Sequence, residues 1–375
     1  MDVNEKQPGA TPRLQEGVLR VLIAAGGTGG HIFPALAVAE EIARRRNSSA
    51  AQFQFLGTAR GLESRLIERA GFPYRAIRAA GLKGIRGWRR VANAAVLPRT
   101  FGESFGALRA FRPDVVIGMG GYVAGPVLLE AALLRIPTVL IEPNASPGFT
   151  NRVLSGIVTR AAIGFEETAN CFGPKARLTG LPVRRAFFEI PPREHRAPFT
   201  ILVFGGSQGS AALNSCLMES LPLMAGRPWH IIHQTGEREL TSVTEAYRRA
   251  AMAGEVRAFI DDMPSVFASA DLIVCRAGAS TIGELMAAGR AAVLVPFPGA
   301  TDQHQLENAR ALERAGAARV IEQAGLSPAR LLAEIGELLA SPERLSAMES
   351  AARKLANPNA AAAIASLVEE VARKS

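Results

Sequence analysis

Cysteine and aromatic residues are scarce in this chain of 375 residues. The three cysteines, Cys171, Cys216 and Cys275, lie far apart, and no two of them are spaced as CxxC. This excludes the regular spacing of a disulfide framework or a zinc cage and is typical of a protein from a reducing compartment. Aromatic residues make up only 6% of the chain and no known reader motif is present, which disfavours nucleic-acid binding.

Long apolar runs are also missing. Residues 1–17 are polar, so they predict a loose tail rather than a signal peptide. The longest apolar stretch, residues 115–134, contains four glycines, Pro126 and Glu130. We therefore expect a buried strand, a loop and a helix start there, and no helix that spans a membrane.

The composition is that of a folded protein with an uneven charge. Hydrophobic residues make up 48% of the chain and charged residues 21%, and the length favours two domains. Residues 1–190 carry 25 Lys and Arg against 14 Asp and Glu, whereas residues 191–375 carry 18 against 20. The whole positive excess therefore lies in the first half, which indicates an anionic partner there or a general arginine bias of the proteome.

Each half begins with a strand, a glycine-rich loop and a helix. In the first half, residues 19–25 form an apolar run that predicts a strand buried on both faces, followed by GGTGGH at 26–31 and a helical pattern over 34–46. In the second half, the apolar run 199–204 precedes GGSQG at 205–209. Further strands are predicted at 52–56, 115–117, 138–141, 272–275 and 292–295.

These alternating elements predict an α/β fold with a doubly wound parallel sheet in each half and ligands at the carboxyl ends of the strands. Three prolines within residues 186–199 are typical of an interdomain linker. The predicted division is a tail (1–17), a first domain (18–187), a linker (188–198), a second domain (199–356) and a final helix (357–375) that could pack back on the first domain.

The loop GGTGGH is suited to binding a ligand. Its glycines allow close approach of the backbone, and amides at a helix start favour anionic or hydroxyl-rich ligands. It is not a dinucleotide fingerprint, because the third glycine position is Ile32 and the second strand ends without an acidic residue. His31 could take a proton from an attacking hydroxyl near neutral pH, although a structural histidine in a tight turn would fit the same pattern.

The second half offers comparable loops. Ala279, Ser280 and Thr281 follow an apolar strand and open a helix, which predicts an anion site such as one for a pyrophosphate. Glu284, one turn further, could bind both hydroxyls of a ribose or be an ordinary surface residue. Residues 301–305 (TDQHQ) could contact sugar hydroxyls or form a solvated loop. The adjacent Asp261 and Asp262 predict a turn and a helix cap rather than a metal site.

A basic and apolar stretch covers residues 81–101. Lysine and arginine interleaved with large apolar residues suit an interface with an anionic membrane, and a core-packing helix with solvated arginines is the alternative. The predicted membrane residues are Leu82, Lys83, Ile85, Arg86, Trp88, Arg89 and Arg90.

The order and spacing of these motifs resemble those of the MurG family, bacterial N-acetylglucosaminyltransferases of peptidoglycan synthesis. The resemblance covers essentially the whole chain after the tail. The motifs that carry it are GGTGGH (26–31), GMGGY (118–122), EPN (142–144), PVR (182–184), GGSQG (205–209), FIDDM (259–263), RAGAST…E (276–284) and DQHQ (302–305).

The resemblance implies a hexosyltransferase of GT-B architecture, with two Rossmann-like domains that face a cleft. It implies inverting transfer of N-acetylglucosamine from UDP-N-acetylglucosamine to the muramyl 4-hydroxyl of lipid I, undecaprenyl-pyrophosphoryl-N-acetylmuramyl pentapeptide, to give lipid II. No cofactor and no metal ion are expected. The expected location is peripheral, on the anionic cytoplasmic face of the bacterial inner membrane.

The resemblance also implies roles for individual residues. Either His31 or Glu142 would be the general base, and the backbone of Ile260 would contact uracil. The residues that match contacts to the sugar donor or the cleft are Thr28, Gly29, Gly30, Asn144, Arg184, Ser207, Ile260, Ala279, Ser280, Thr281, Glu284 and Gln305. The chain departs from the family pattern at Ile141, Pro143 and Leu181, and a base at position 141 is thereby disfavoured.

Other protein classes remain as alternatives at this point. A diacylglycerol glycosyltransferase or a nucleotide-sugar epimerase of the same fold would share the loops for UDP-sugar. A dinucleotide-dependent oxidoreductase is disfavoured by the broken fingerprint. A sugar-binding module without activity would need no general base beside the loop.

Overall fold

Two parallel sheets follow one another along the chain in this computed structural model, which describes residues 17–26, 29–46, 50–58, 63–79, 96–300 and 303–373. Among these residues, the first sheet has the strand order β3-β2-β1-β4-β5-β6-β7, and every neighbouring pair is parallel. Its strands are β1 (Leu19–Ala24), β2 (Ala51–Thr58), β3 (Tyr74–Ile77), β4 (Val115–Gly118), β5 (Thr138–Glu142), β6 (Arg160–Ile163) and β7 (Ala176–Leu178).

The second sheet repeats this arrangement. Its order within the described residues is β10-β9-β8-β11-β12-β13, again all parallel. Its strands are β8 (Phe199–Phe204), β9 (Trp229–Gln234), β10 (Gly254–Arg257), β11 (Leu272–Cys275), β12 (Ala292–Leu294) and β13 (Ala318–Val320). The prediction of a doubly wound parallel sheet in each half is confirmed.

The order of the strands decides where a ligand can bind. In each sheet the chain starts at a central strand, runs to one edge, returns and then runs to the other edge. Crevices of this kind lie at the carboxyl ends of the strands, where the chain changes direction. In the first sheet the crevice lies between β1 and β4, and in the second it lies between β8 and β11.

Helices connect the strands and cover the sheets. In the first half they are α1 (Gly29–Arg46), α2 (Glu63–Arg69), α3 (Leu97–Phe111), α4 (Gly121–Leu133), α5 (Phe149–Leu154), α6 (Ala169–Phe172) and α7 (Arg185–Phe188). In the second half they are α8 (Ala211–Met224), α9 (Leu240–Arg249), α10 (Met263–Ser269), α11 (Ala279–Ala288), α12 (His304–Arg314), α13 (Pro328–Leu339) and α14 (Pro342–Leu355), and α15 (Ala360–Arg373) ends the described chain.

The chain crosses between the two cores twice. Leu181 and Phe187 belong to a buried apolar cluster of the second half, whereas α15 packs against α1 and shares the core of the first sheet through residues such as Ile364 and Val368. Arg45 Nη1 donates to Ser366 Oγ at 2.8 Å across this helix pair. The first crossing therefore comes a few residues before the boundary placed after residue 187, and the domain limits themselves stay predictions.

Candidate active site between the two sheets

The two glycine-rich helix starts meet between the sheets. Helix α1 begins at Gly29, shortly after β1, and helix α11 begins at Ala279, shortly after β11. The Oγ of Ser280 donates to the carbonyl of Gly30 at 3.1 Å, although 250 residues separate them. The N-termini of α1 and α11 thus face a common cleft, and each carries a partial positive charge of about 0.5.

His31 is held in one tautomer at this cleft. Its Nδ1 lies 3.1 Å from the carbonyl oxygen of Gly26. A carbonyl can only accept, so Nδ1 carries the hydrogen and Nε2 of the neutral ring keeps its lone pair. Gly121, at φ +74°, allows the ring to lie close, because a Cβ there would stand 3.3 Å from His31 Cε1. The side chain is partly buried and is arranged as a proton acceptor.

Glu142 organises the loop that follows β5. Its carboxylate is 1% exposed. It accepts hydrogen bonds from Asn144 N and Nδ2 (both 2.9 Å), from Gly148 N (3.0 Å) and from Asn151 Nδ2 (2.8 Å). Four amide donors around one buried carboxylate leave little capacity for a substrate proton. The geometry therefore favours a loop-organising role for Glu142 over the base role that the sequence left open.

The start of α11 presents backbone amides to the cleft. Gly278 occupies the N-cap position, and within the described ranges no side chain caps the helix and no acidic residue lies in its first turn. The first amides of an α-helix have no partner inside the helix, so those of residues 279–281 are suited to an anion such as a phosphate group. Ala279 is buried, and Ser280 and Thr281 are partly exposed.

Arg184 and Glu284 form an ion pair with each other. Arg184 Nη2 donates to Glu284 Oε1 at 2.9 Å, and the guanidinium lies over the rings of Phe33 (4.4 Å) and Phe187 (4.9 Å). Burial raises the pKa of Glu284, while the charge of Arg184 opposes that rise. Two residues that the resemblance assigns to the sugar donor are thus partners here. A ribose that binds Glu284 would either share the carboxylate with Arg184 or replace that partner.

The segment that would contact uracil is tied to the loop GGSQG. Gln234, at the end of β9, donates through Nε2 to the carbonyl of Gly206 at 2.9 Å and accepts from the amide of Ile260 at 2.8 Å. The N–H of Ile260 is therefore occupied, and its carbonyl is the group left to face a base. Ser207 lies partly buried in the same loop. The resemblance had assigned no role to Gln234.

Gln305 is the second residue of α12 and lies in the first turn of that helix. Its Oε1 accepts a hydrogen bond from the amide of Phe297 at 3.0 Å, which leaves its Nε2 group for a sugar hydroxyl. Asn144, on the opposite half, accepts a hydrogen bond at Oδ1 from Asn308 Nδ2 at 3.3 Å. The structure thus brings Asn144 to the second half, where it joins the predicted contacts to the sugar donor.

Arg276 is a charged residue of the site to which the sequence reasoning gave no role. It is 8% exposed and donates to Ser210 Oγ, to the carbonyls of Val295 and Pro296, and to Gln323 Oε1. Burial lowers its pKa to about 10, so it stays charged at neutral pH. Among the described residues it forms no ion pair with a carboxylate, so its positive charge favours an anion nearby. The sequence signal for this residue was a single arginine directly after the apolar run of a buried strand.

The remaining predictions concern metals and peripheral residues. Asp262 accepts from Ser265 N and caps α10, which confirms the predicted cap, and Asp261 pairs with Arg69. In the described part of the chain, no group of three or more His, Cys, Asp or Glu side chains could hold a metal ion, and no helix is long and apolar enough to cross a membrane. Thr28 and the membrane residues 82–90 lie outside the described residues, whereas Gly29 and Gly30 open α1.

Two family models match the chain in order. The model described as "Glycosyltransferase family 28 N-terminal domain" matches residues 21–163, and that described as "Glycosyltransferase family 28 C-terminal domain" matches residues 200–367. The first match covers β1 to β6 of the first sheet but not β7, and the second covers the second sheet. The parallel sheets and the cleft between them have the GT-B architecture.

Curated relatives and solved structures point in the same direction. A UDP-N-acetylglucosamine--N-acetylmuramyl-(pentapeptide) pyrophosphoryl-undecaprenol N-acetylglucosamine transferase from Anaeromyxobacter dehalogenans is 46% identical over 362 residues, covering 95% of this chain and 94% of the relative. The crystal structure of Acinetobacter baumannii MurG is 34% identical, with a TM-score of 0.71, and the match covers 94% of this chain and 99% of that one. The crystal structure of a UDP-GlcNAc 2-epimerase from Neisseria meningitidis has a TM-score of 0.64 at 14% identity. This match covers 95% of this chain and 100% of that one, and it shows the fold alone.

Proposed function

The chain belongs to the MurG family within glycosyltransferase family 28, and on this basis we propose that it transfers N-acetylglucosamine from UDP-N-acetylglucosamine to lipid I, giving lipid II. The acceptor is the undecaprenyl-pyrophosphoryl N-acetylmuramyl pentapeptide that the relatives' name describes. The observation that carries the proposal at the site is His31. Its Nδ1 is taken up by the carbonyl of Gly26, and it directly follows Gly30, which contacts Ser280 at the start of α11.

The reaction is a single displacement. Nε2 of His31 accepts the proton of the muramyl 4-hydroxyl, and the oxygen attacks C1 of N-acetylglucosamine. The new C1–O bond forms as the bond from C1 to the phosphate oxygen breaks, so the configuration at C1 inverts. The negative charge that grows on UDP is stabilised by the amides of residues 279–281 and by the buried charge of Arg276. Glu142 keeps the loop after β5 in shape during this step.

The sugar donor is held mainly by the second half. Glu284 binds the ribose hydroxyls and Arg184 is released toward the phosphates, because the ligand offers each of them a new partner. The carbonyl of Ile260 contacts uracil, and Gln305 and Asn144 contact the sugar. Ser207 and Gly30 line the loops on either side.

Transfer of labelled N-acetylglucosamine from its UDP donor to a short-chain lipid I analogue tests this function. We expect a labelled disaccharide lipid with the inverted linkage, and no product with diacylglycerol as the acceptor. Transfer to diacylglycerol but not to the lipid I analogue would contradict the proposal. Release of free N-acetylmannosamine without transfer would instead indicate an epimerase.

The first half also carries a surface suited to a membrane. Exposed apolar side chains of α4, α5 and the turns after them form what we term the apolar patch: Leu129, Leu133, Leu134, Val153 and Ile157. Leu133 is 75% exposed and Val153 63% exposed. Arg135 and Arg177 are exposed on the same half, which carries the positive excess of the chain. Apolar and basic groups together support peripheral binding to an anionic bilayer.

Vesicle partitioning tests this surface and residues 82–90 together. We expect binding to vesicles that contain anionic lipid and weaker binding to neutral ones. Leu133→Glu and the pair Trp88→Ala with Arg89→Ala should each reduce partitioning, whereas Leu223→Glu, at an exposed leucine of the second half, should not. Equal binding of all variants, or equal binding to neutral vesicles, would argue against a membrane-facing first half.

A further inference from the structure

Helix α1 contains a proline at its sixth residue. In an α-helix the N–H of residue i donates to the carbonyl of residue i−4, so position 34 would normally pair with the carbonyl of Gly30. Pro34 has no N–H, and the carbonyl of Gly30 therefore lacks its partner inside the helix. This carbonyl belongs to the residue directly before His31.

The second half supplies the missing partner. Ser280, the second residue of α11, donates its Oγ–H to the carbonyl of Gly30 at 3.1 Å. One hydrogen bond thus joins the segment of the proposed base to the amide cluster proposed for the phosphates. This hydrogen bond uses a carbonyl oxygen that has no partner inside α1, because position 34 is proline.

Asn308 forms a second connection between the halves. Its side chain is fully buried on α12. Its Oδ1 accepts from the amide of Ala145 at 3.1 Å, and its Nδ2 lies 3.3 Å from both Asn144 Oδ1 and the carbonyl of Ala277. The same amide therefore contacts the loop that Glu142 organises and the segment that leads into α11. Buried polar groups require their partners, so this side chain favours one spacing of the two halves.

We propose that Ser280, through the carbonyl that Pro34 leaves available, and Asn308 are positioning residues that align the sugar donor with His31. The proposal rests on the transferase activity proposed above. The two contacts bracket residues 277–281, one from the side of α1 and the other from the loop after β5. Reaction rates depend steeply on such alignment, because a displacement near 1 Å can cost about 100-fold. The hydroxyl of Ser280 thereby acts by positioning, while the backbone amide of Ser280 stays among the amides proposed for the phosphates.

Three substitutions test the alignment with kcat at saturating UDP-N-acetylglucosamine and the Kd of UDP as separate readouts. Ser280→Ala and Asn308→Ala should each lower kcat about 10-fold and leave the Kd of UDP within about twofold. Pro34→Ala restores an N–H that competes for Gly30. Because a carbonyl oxygen has two lone pairs, the competition weakens the Ser280 contact and should lower kcat about threefold.

The double variant identifies the shared acceptor. Pro34→Ala with Ser280→Ala should have the kcat of Ser280→Ala alone, because both changes act on one hydrogen bond. The matched controls are Pro222→Ala, at a proline inside α8 of the second half, and Asn357→Ala, which removes a hydrogen bond to the carbonyl of Thr179. Both controls should keep kcat within about twofold of the wild type.

Two results would overturn the proposal. In the first, the losses of Pro34→Ala and Ser280→Ala multiply, or Ser280→Ala keeps the wild-type kcat. In the second, the Kd of UDP rises as much as kcat/KM falls, which would make Ser280 a direct contact. A wild-type protein that binds UDP but transfers no sugar would contradict the proposed function instead, so the two failures are distinguishable.

Discussion

Glu142 in the first half and Glu284 in the second are both buried glutamates beside the cleft, but their partners differ in kind. Glu142 is surrounded by amide donors of its own loop, all within nine residues of it. Glu284 has one charged partner, Arg184, from 100 residues away. A carboxylate saturated by local amides holds a backbone shape, whereas one that is paired with a single arginine can exchange that partner for a ligand.

The same contrast extends to the two helix starts. At α1 the first half presents His31, whose Nδ1 faces the carbonyl of Gly26 and leaves Nε2 for a substrate. At α11 the second half presents uncapped amides, and the buried Arg276 lies three residues before the helix in the chain. We infer that the first half performs the proton transfer and the second half binds the anionic sugar donor. Substitution of His31 or of the Glu142 loop should therefore change kcat or stability. Substitution of a direct contact to the sugar donor, such as Glu284, should change the KM for the sugar donor.

The largest effect is expected from His31→Ala. Loss of a general base lowers kcat by about 10²- to 10⁴-fold. The Kd of UDP should not change, because the sugar donor binds mainly to the second half. Single-turnover transfer to the lipid I analogue and calorimetric titration with UDP measure the two quantities. The control is His230→Ala, at a partly exposed histidine of β9, and a His31→Ala variant with the wild-type kcat would remove His31 from the base role.

Glu142→Ala should cause the next largest effect, on stability. Removal of the carboxylate leaves several buried amide donors without an acceptor, so the free energy of unfolding should fall by about 3 kcal/mol. Glu284→Ala should lower it by less, since Arg184 keeps its contacts with Phe33 and Phe187. Urea denaturation of both variants measures the difference. Equal losses of stability would contradict the distinction between the two glutamates.

Glu284→Ala should have a moderate effect on binding of the sugar donor. Loss of a charged hydrogen-bond partner for the ribose should raise the KM for UDP-N-acetylglucosamine about 10-fold, with kcat changed less. Glu284→Gln separates charge from hydrogen bonding and should give an intermediate KM. Steady-state rates at saturating acceptor measure both constants. An unchanged KM in Glu284→Ala would refute the ribose contact.

The smallest effect on catalysis is expected from the segment predicted as the linker, residues 188–198, where pH should change stability. His195 is buried, with Nδ1 3.1 Å from Asp271 Oδ1 and Nε2 3.5 Å from Glu349 Oε1, and Arg193 and Arg290 flank the two acids. Burial lowers the pKa of His195, but the hydrogen bond to Asp271 and the negative charges of Glu349 and Asp271 outweigh it and raise the pKa to about 9. A pKa raised on folding adds stability that is full below the unfolded value of about 6.5 and is lost as pH rises through about 9.

The difference in the free energy of unfolding between the wild type and His195→Gln should therefore shrink by about 2.5 kcal/mol between pH 7 and pH 10. Urea denaturation at each pH gives the difference between the two proteins, so other groups that titrate in this range cancel. A difference that is constant with pH would show that His195 is neutral in the folded protein.

The buried strands could be predicted from the sequence, whereas the edge strands could not. β1, β4, β5, β8 and β11 are nearly unbroken apolar runs, because both faces of a central parallel strand are covered. β3 (YRAI) and β10 (GEVR) lie at the sheet edges and expose most of their side chains, so they have no such run. β9 (WHIIHQ) is interrupted by two histidines.

The start of α1 shows a second feature that local sequence could not predict. The helical pattern was predicted from Pro34, because proline is favoured in the first turn of a helix, but the helix begins at Gly29. Proline is tolerated at this inner position because Ser280 satisfies the carbonyl that it leaves unpaired. Local propensity could not contain this information, since the compensating group lies in the other half of the molecule.

The glycine-rich loops, the parallel sheets and the uneven charge follow from residues that are close in the chain, because strand burial, helix starts and turns depend on local pattern. The choice of partners does not. Glu284 pairs with Arg184 from 100 residues away, and Ser280 reaches the carbonyl of Gly30 from 250 residues away. Glu142 and His31 have partners within nine residues, but the shape of the loops that presents those partners is set by folding. Hydrogen bonds act over about 3 Å, so only the packed molecule selects between a base, a scaffold and a ligand contact.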